Sequence, residues 1–210
     1  MLPLIQENAF YPGQWGIQGS DDPLGLRLQP GAQVYYVQSG HPSASNSNDG
    51  TDPNFPRATL ASAIGLPTAG RGDMILIGAG HSENVATAGG ITAALAGVTV
   101  LGLGDGQQRP RFSLTDAAAS VIVSASDVTF ENLVFLVGAD SITIMLDVNA
   151  DDFTLKNCEF RENTAVAQQW LTALDINGGG AHATDRAKVL GCKFVSEAAG
   201  ANHAIEIAAV

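Results

Sequence analysis

Apolar and polar residues alternate along short stretches of this chain, and one such phrase is written three times. The copies run Asp127–Phe135, Asp152–Phe160 and Arg186–Phe194. Each opens as a strand with alternate residues apolar: Val128 and Phe130, Phe153 and Leu155, Ala187 and Val189. After Asn132, Asn157 or Gly191 the apolar parity reverses, giving Leu133 and Phe135, Cys158 and Phe160, Cys192 and Phe194. A straight strand that reversed parity would turn its core face to solvent, so the backbone must bend at that residue. Asn and Gly are the types that take positive φ at low cost. A shorter copy, Gly97–Leu103, has a corner at Gly102 and lacks the closing aromatic. The corners Gly102, Asn132, Asn157 and Gly191 stand 30, 25 and 34 residues apart, the spacing of a solenoid with one coil per copy. The closing residues Leu133, Phe135, Cys158, Phe160, Cys192 and Phe194 are all expected in the core.

A second column fixes the register. Val121-Ile-Val123, Leu146-Asp-Val148 and Leu174-Asp-Ile176 precede successive corners, and Ala204-Ile-Glu-Ile207 repeats the pattern. In between, Asn177–Asp185 reads as a surface loop. Irregular coil length with constant strand phrases predicts an all-β chain folded as a parallel β-helix; the tight two-residue turns of antiparallel hairpins are missing. That register sets Asp147, Asp175 and Glu206 on one outward column, with neighbouring strands about 4.8 Å apart. Carboxylates at such spacing are what glycosidases use, yet an acidic, solvated edge that discourages aggregation is the simpler reading.

Ahead of the repeats, residues 1–33 read as an extended arm. Prolines and glycines break the arm repeatedly, while Phe10, Tyr11, Trp15, Leu24 and Leu26 make it too apolar for a solvated linker. These five are the expected partner-binding residues, with the chain's own solenoid as the alternative surface for the arm. Residues 34–210 form the β-helix domain. Within it, residues 34–80 supply a strand at Val34–Val37, a polar loop at Ser39–Pro56, a short helix at Ala58–Ile64 and a strand at Asp73–Gly78; residues 81–210 supply the coils. Asp49 and Asp52 in the polar loop lack calcium-loop spacing and are expected to make turns.

With 45% hydrophobic residues, the 210-residue chain can bury a sizeable single core. The 10 Lys and Arg against 21 Asp and Glu leave a net charge of −11, so neither nucleic acid nor an anionic membrane is an expected partner. No membrane-spanning run is present, and the first residues do not read as a secretory signal. Cys158 and Cys192 share one inward phase and are expected as free thiols rather than a disulfide or a metal site. No metal and no cofactor is called for.

The run Val34-Tyr-Tyr-Val, Asn48-Asp-Gly-Thr, Phe55-Pro-Arg-Ala-Thr-Leu, Gly72-Asp-Met-Ile-Leu-Ile and Glu83-Asn-Val85 resembles the start of pectin-lyase-like right-handed parallel β-helix proteins. The resemblance implies a right-handed coil whose open end is capped by the short helix. It leaves function open, because the superfamily includes polysaccharide lyases, glycoside hydrolases, adhesins and phage spike or decoration proteins. Coil cations are counted as Lys156, Arg161, Arg186, Lys188 and Lys193, with Lys156 and Lys188 on corresponding outward sites; that is thin provision for an anionic sugar. Asp152 begins a repeat and is assigned a corner role. Trp170 is the lone candidate sugar platform. The expectation is therefore a non-enzymatic virion protein with no catalytic residues. It would be a phage capsid decoration, cement or spike subunit held by its arm, trimeric, bound to capsid or other virion proteins and released with the particle by lysis. Cell-surface polysaccharide is a further candidate partner. The alternative is a polysaccharide lyase or hydrolase working through Asp147, Asp175 and Glu206.

Overall fold

The structure is a computed structural model, and it describes residues 31–162, 169–176, 185–196 and 203–207. Three parallel sheets carry the described coils. The first, here the corner sheet, stacks Val34–Val37 (β1), Met74–Ile77 (β2), Thr99–Gly102 (β5), Thr129–Glu131 (β8), Thr154–Lys156 (β11) and Lys188–Leu190 (β14). The aromatic sheet stacks Ser82–Val85 (β3), Arg111–Leu114 (β6), Val134–Val137 (β9), Glu159–Arg161 (β12) and Lys193–Val195 (β15). The acidic sheet stacks Ile91–Ala93 (β4), Val121–Val123 (β7), Ile142–Val148 (β10), Trp170–Ile176 (β13) and His203–Ile207 (β16). From β2 onward the chain visits the three sheets in turn, and each visit adds a strand beside the last. That is a parallel β-helix.

The repeat register is the one the parity pattern demands. Phe130 pairs with Leu155 and Leu155 with Val189 in the corner sheet. In the aromatic sheet Phe112, Phe135, Phe160 and Phe194 are level. Phe135 and Phe160 stack at 4.9 Å between centroids, as do Phe160 and Phe194. Leu133, Phe135, Cys158 and Phe160 are buried as expected. Cys192 and Phe194 are not: both are only partly buried, because no described coil covers them.

Asn132, Asn157 and Gly191 have φ of 60°, 51° and 63°, so the corner is left-handed at all three. Gly102 is level with them but has no positive φ. It is glycine for clearance: a Cβ there would lie 2.5 Å from Asn132 O and 2.9 Å from Pro110. The chain turns instead through Gly104, at φ 88°, and a 3-10 turn at Gly106–Gln108. The closing aromatic of this copy is present after all, as Phe112 beyond that insertion. A second left-handed column opens each phrase, at Gly72, Gly97, Asp127, Asp152 and Arg186, with φ between 57° and 75°. Asp152 thus has the corner role assigned to it.

The short helix, Leu60–Ala63 (α1), packs on β1 and β4, and Leu60, Ala63 and Ile64 join the main core. It is tied to β3 as well. Glu83 takes the place of the aromatic in the first coil, level with Phe112. Its Oε2 accepts from Leu60 N–H at 2.6 Å and its Oε1 from Ala61 N–H at 3.1 Å. Fully buried His81 lies 3.3 Å away through Nε2, while its Nδ1 accepts from Ser39 N–H at 3.0 Å. That second bond leaves the ring proton on Nε2, aimed at Glu83. Contact with the first strand of each sheet makes α1 the cap that the resemblance implies. In the polar loop, Asp49 accepts from Thr51 and Asp52 from Asn54, both Asx turns. Among the described residues no helix is long and apolar enough to cross a membrane.

Candidate functional site

Two outward faces carry charge. On the acidic sheet, Asp147, Asp175 and Glu206 are level on adjacent strands, as the alternation predicts. Their surroundings differ from the expected solvated column. Only 6% of Asp175 is exposed, so it belongs to the interior. Asp147 is half-buried, and its Oδ1 is cut off from solvent with no hydrogen-bond partner among the described residues. Glu206 alone is well exposed; it accepts from Thr172 Oγ1 at 3.1 Å and lies 3.5 Å from His203 Nδ1. The carboxylates therefore do not share one open cleft. Trp170, 1% exposed, is a core residue and cannot serve as a sugar platform.

The aromatic sheet carries the more open face. Its outward residues alternate with the buried phenylalanines, so Arg111, Val134, Glu159 and Lys193 fall in one column. Ser113, Leu136 and Arg161 form the next. With Arg109, all of these except Lys193 line a groove of about 690 Å³. Four of the chain's ten Lys and Arg residues thus gather on one face of an acidic protein. Arg109 and Arg111 are absent from the sequence-based count of coil cations. The insertion before Phe112 hides them, since Arg109 lies in it and Arg111 opens a strand that does not follow the repeat phrase directly. The match of Arg111-Phe112 to Glu159-Phe160 and Lys193-Phe194 is the signal that would have found Arg111.

Most of these charges already have partners. Arg109 reaches Glu159 Oε2 at 3.2 Å and donates to the carbonyls of Leu133 and Asn157, clasping two corners at once. Glu159 Oε1 accepts from Arg161 Nε at 2.8 Å. Arg111 donates to Gln107 O at 2.8 Å. At the groove's end, buried Glu162 accepts from Trp170 N–H at 3.2 Å and Ser196 Oγ at 2.9 Å.

The same habit appears on the corner sheet. Lys156 pairs with Glu131 at 2.8 Å and Arg186 with Asp152 at 2.7 Å. The guanidinium hydrogen bond of Arg186 holds the Asp152 carboxyl below its ordinary range despite some desolvation. Lys156 and Lys188 are not equivalents: Lys156 is level with Leu190, and Lys188 with Thr154.

The fold itself stands on these registers. Comparison with known proteins adds little beyond it. No family model matches the chain, and no curated protein matches it in sequence. Among solved structures, a rhamnogalacturonan lyase is similar, with a TM-score of 0.48 and 17% identity over 78% of this chain and 51% of that one. The chain spans about half the length of that lyase. A likeness at this level transfers no residue role.

The candidate partner-binding residues Phe10, Tyr11, Trp15, Leu24 and Leu26 lie outside the described residues, as does most of the 177–185 loop.

Proposed function

We propose that this chain is a non-enzymatic structural subunit of a phage particle, a capsid decoration, cement or spike protein. In this reading its 1–33 arm grips capsid or other virion proteins, and the β-helix is what it displays. A closed trimer is the assembly favoured. The observation behind it is the use made of coil charges. Arg109–Glu159, Lys156–Glu131 and Arg186–Asp152 each join one coil to another. Single exposed pairs contribute little stability, but a series of them fixes register along a rod. Charged groups committed to such rungs suit a stiff, passive shaft better than a site that must release them to substrate. Immunogold labelling of particles from a host lysate, with an antibody to residues 34–162, tests this. Label on the particles supports the reading; label confined to particle-free fractions overturns it.

One observation favours a second reading, polysaccharide processing. Arg111 and Arg161 share the groove with Glu159, and guanidinium forks suit uronate carboxylates. Release of reducing ends or of unsaturated uronate absorbance from acidic polysaccharide would promote it. Loss of that activity in Arg111→Ala would place it in the groove, and loss in Asp175→Asn would place it on the acidic column.

A further inference from the structure

Cys158 and Cys192 occupy one position of adjacent coils. The register pairs Glu159 with Lys193 and Phe160 with Phe194, and Lys193 N–H donates to Cys158 O at 2.9 Å. Parallel neighbours about 4.8 Å apart fall within the Cα separation that a disulfide spans. The two thiols also have the same posture. Cys158 Sγ lies 3.4 Å from Lys156 O and 3.7 Å from Phe130 O; Cys192 Sγ lies 3.5 Å from both Leu190 O and Leu155 O. Each sulfur therefore points from its own strand toward the preceding coil, which for Cys192 is the coil of Cys158. Both are free thiols here. They differ in access, since Cys158 is 1% exposed and Cys192 is only partly buried.

We propose that Cys158 and Cys192 form a thiol–disulfide site, closed by a small disulfide oxidant to tie two coils together covalently. Cys192 is the entering residue because a small molecule can reach it. Its thiolate attacks one sulfur of the oxidant, forming a mixed disulfide and expelling the other half as a thiolate that takes up the Cys192 proton. Cys158, losing its proton, then attacks Cys192 Sγ and expels the second half as a thiol. Two protein thiols are oxidised, and one small disulfide is reduced to two thiols. Electrostatics suit this order. The neighbouring Cys158 thiol holds Cys192 below its ordinary value against its own desolvation, while burial pushes Cys158 up. The first attack thus falls to Cys192, and the second awaits the proximity that the mixed disulfide creates. The resulting staple would join the last two described coils. This goes beyond the structural role proposed above and does not depend on it.

The test uses the reduced full-length chain and oxidised glutathione at neutral pH, with thiols trapped by alkylation under denaturing conditions and read by mass spectrometry. Expected are loss of both thiols, a monomer two hydrogens lighter, a Cys158–Cys192 linked peptide, and a raised melting temperature that dithiothreitol reverses. Cys158→Ser should instead stop at a glutathione adduct on Cys192. Cys192→Ser should leave Cys158 unmodified while the chain stays folded. Three results overturn the proposal: both wild-type thiols surviving while the denatured chain oxidises, a wild-type adduct on Cys192 that never resolves, or disulfide-linked dimers in place of the internal bond.

Discussion

The first and last described coils are built from the same kind of strand and are covered differently. At the β1 end, α1 lies over the first strands and Leu60 and Ala63 are buried. A buried carboxylate, Glu83, replaces the aromatic there and meets two helix N–H groups that no earlier turn could satisfy. At the β14–β16 end no described strand pairs beyond. Ile205 and Ile207 are 39% and 73% exposed, whereas Leu174 and Ile176, level with them on the preceding coil, are buried; Phe194 is only partly covered although its sequence phrase matches that of Phe160. A coil of this type cannot bury its own hydrophobic face. Its burial is supplied by the coil next to it. Where a lid replaces that coil, polar acceptors have to be built in for the lid's own backbone.

Four tests would break or sharpen this contrast. Phe160→Ala, which opens a cavity between two stacked rings, should cost about 3–5 kcal/mol in denaturant unfolding, whereas Phe194→Ala should cost about half as much. Equal losses would mean that the last coil is covered as well as the inner ones. Glu83→Gln keeps the side chain's length but trades one acceptor for a donor facing a helix N–H. It should cost about 1–3 kcal/mol, with loss of amide-exchange protection concentrated in residues 58–66; a uniform loss would argue that α1 is no separate lid. Gly191→Val forces a β-branched residue to a φ of 63° and should cost about 1–3 kcal/mol. Gly191→Asn should cost less, because Asn tolerates that region, though its Cβ must displace Asn157 Oδ1. Identical melting temperatures would remove the left-handed corner from the account.

The smallest expected effect concerns acid. Burial pushes Asp73 up, but Arg71 and the N–H groups of Gln33 and Thr68 outweigh it and hold the carboxyl below its ordinary value. The unfolded chain then binds the proton more readily. Stability is therefore fully present above the ordinary carboxylate range, near pH 4. It is lost as pH falls from there through the folded value. Asp73→Asn should lower stability at neutral pH and flatten the acid limb of the stability curve; an unchanged acid limb would count against the cluster.

The coil register was legible in sequence because parity reversal, a residue tolerant of positive φ and a closing aromatic coincide three times. No single one of those signals would have set it. Other features were hidden because they depend on the neighbouring coil. Gly102 resembles the other corners but makes room for Asn132 O and the Pro110 ring. Asp175 alternates as an outward residue yet is covered. Phe112 and the arginines beside it were masked by an insertion, and Glu83 breaks the aromatic column for a reason visible only once the cap is placed. Sequence periodicity reports which way a side chain leaves its strand, not what lies over it.

Residues 103–110 replace, in one coil, a corner that the three later coils make in a single step from Asn132, Asn157 or Gly191 to the next strand. Gly104–Gln108 stand exposed, yet β6 regains register with β9 immediately afterwards. The shaft therefore accepts splicing. A foreign loop inserted between Gly106 and Gln107 should ride on the outside while Asn132 keeps its grip on the carbonyls of Gly102 and Gly104. Evolution or a designer could use that corner as a socket, changing what the rod presents without touching how it is wound.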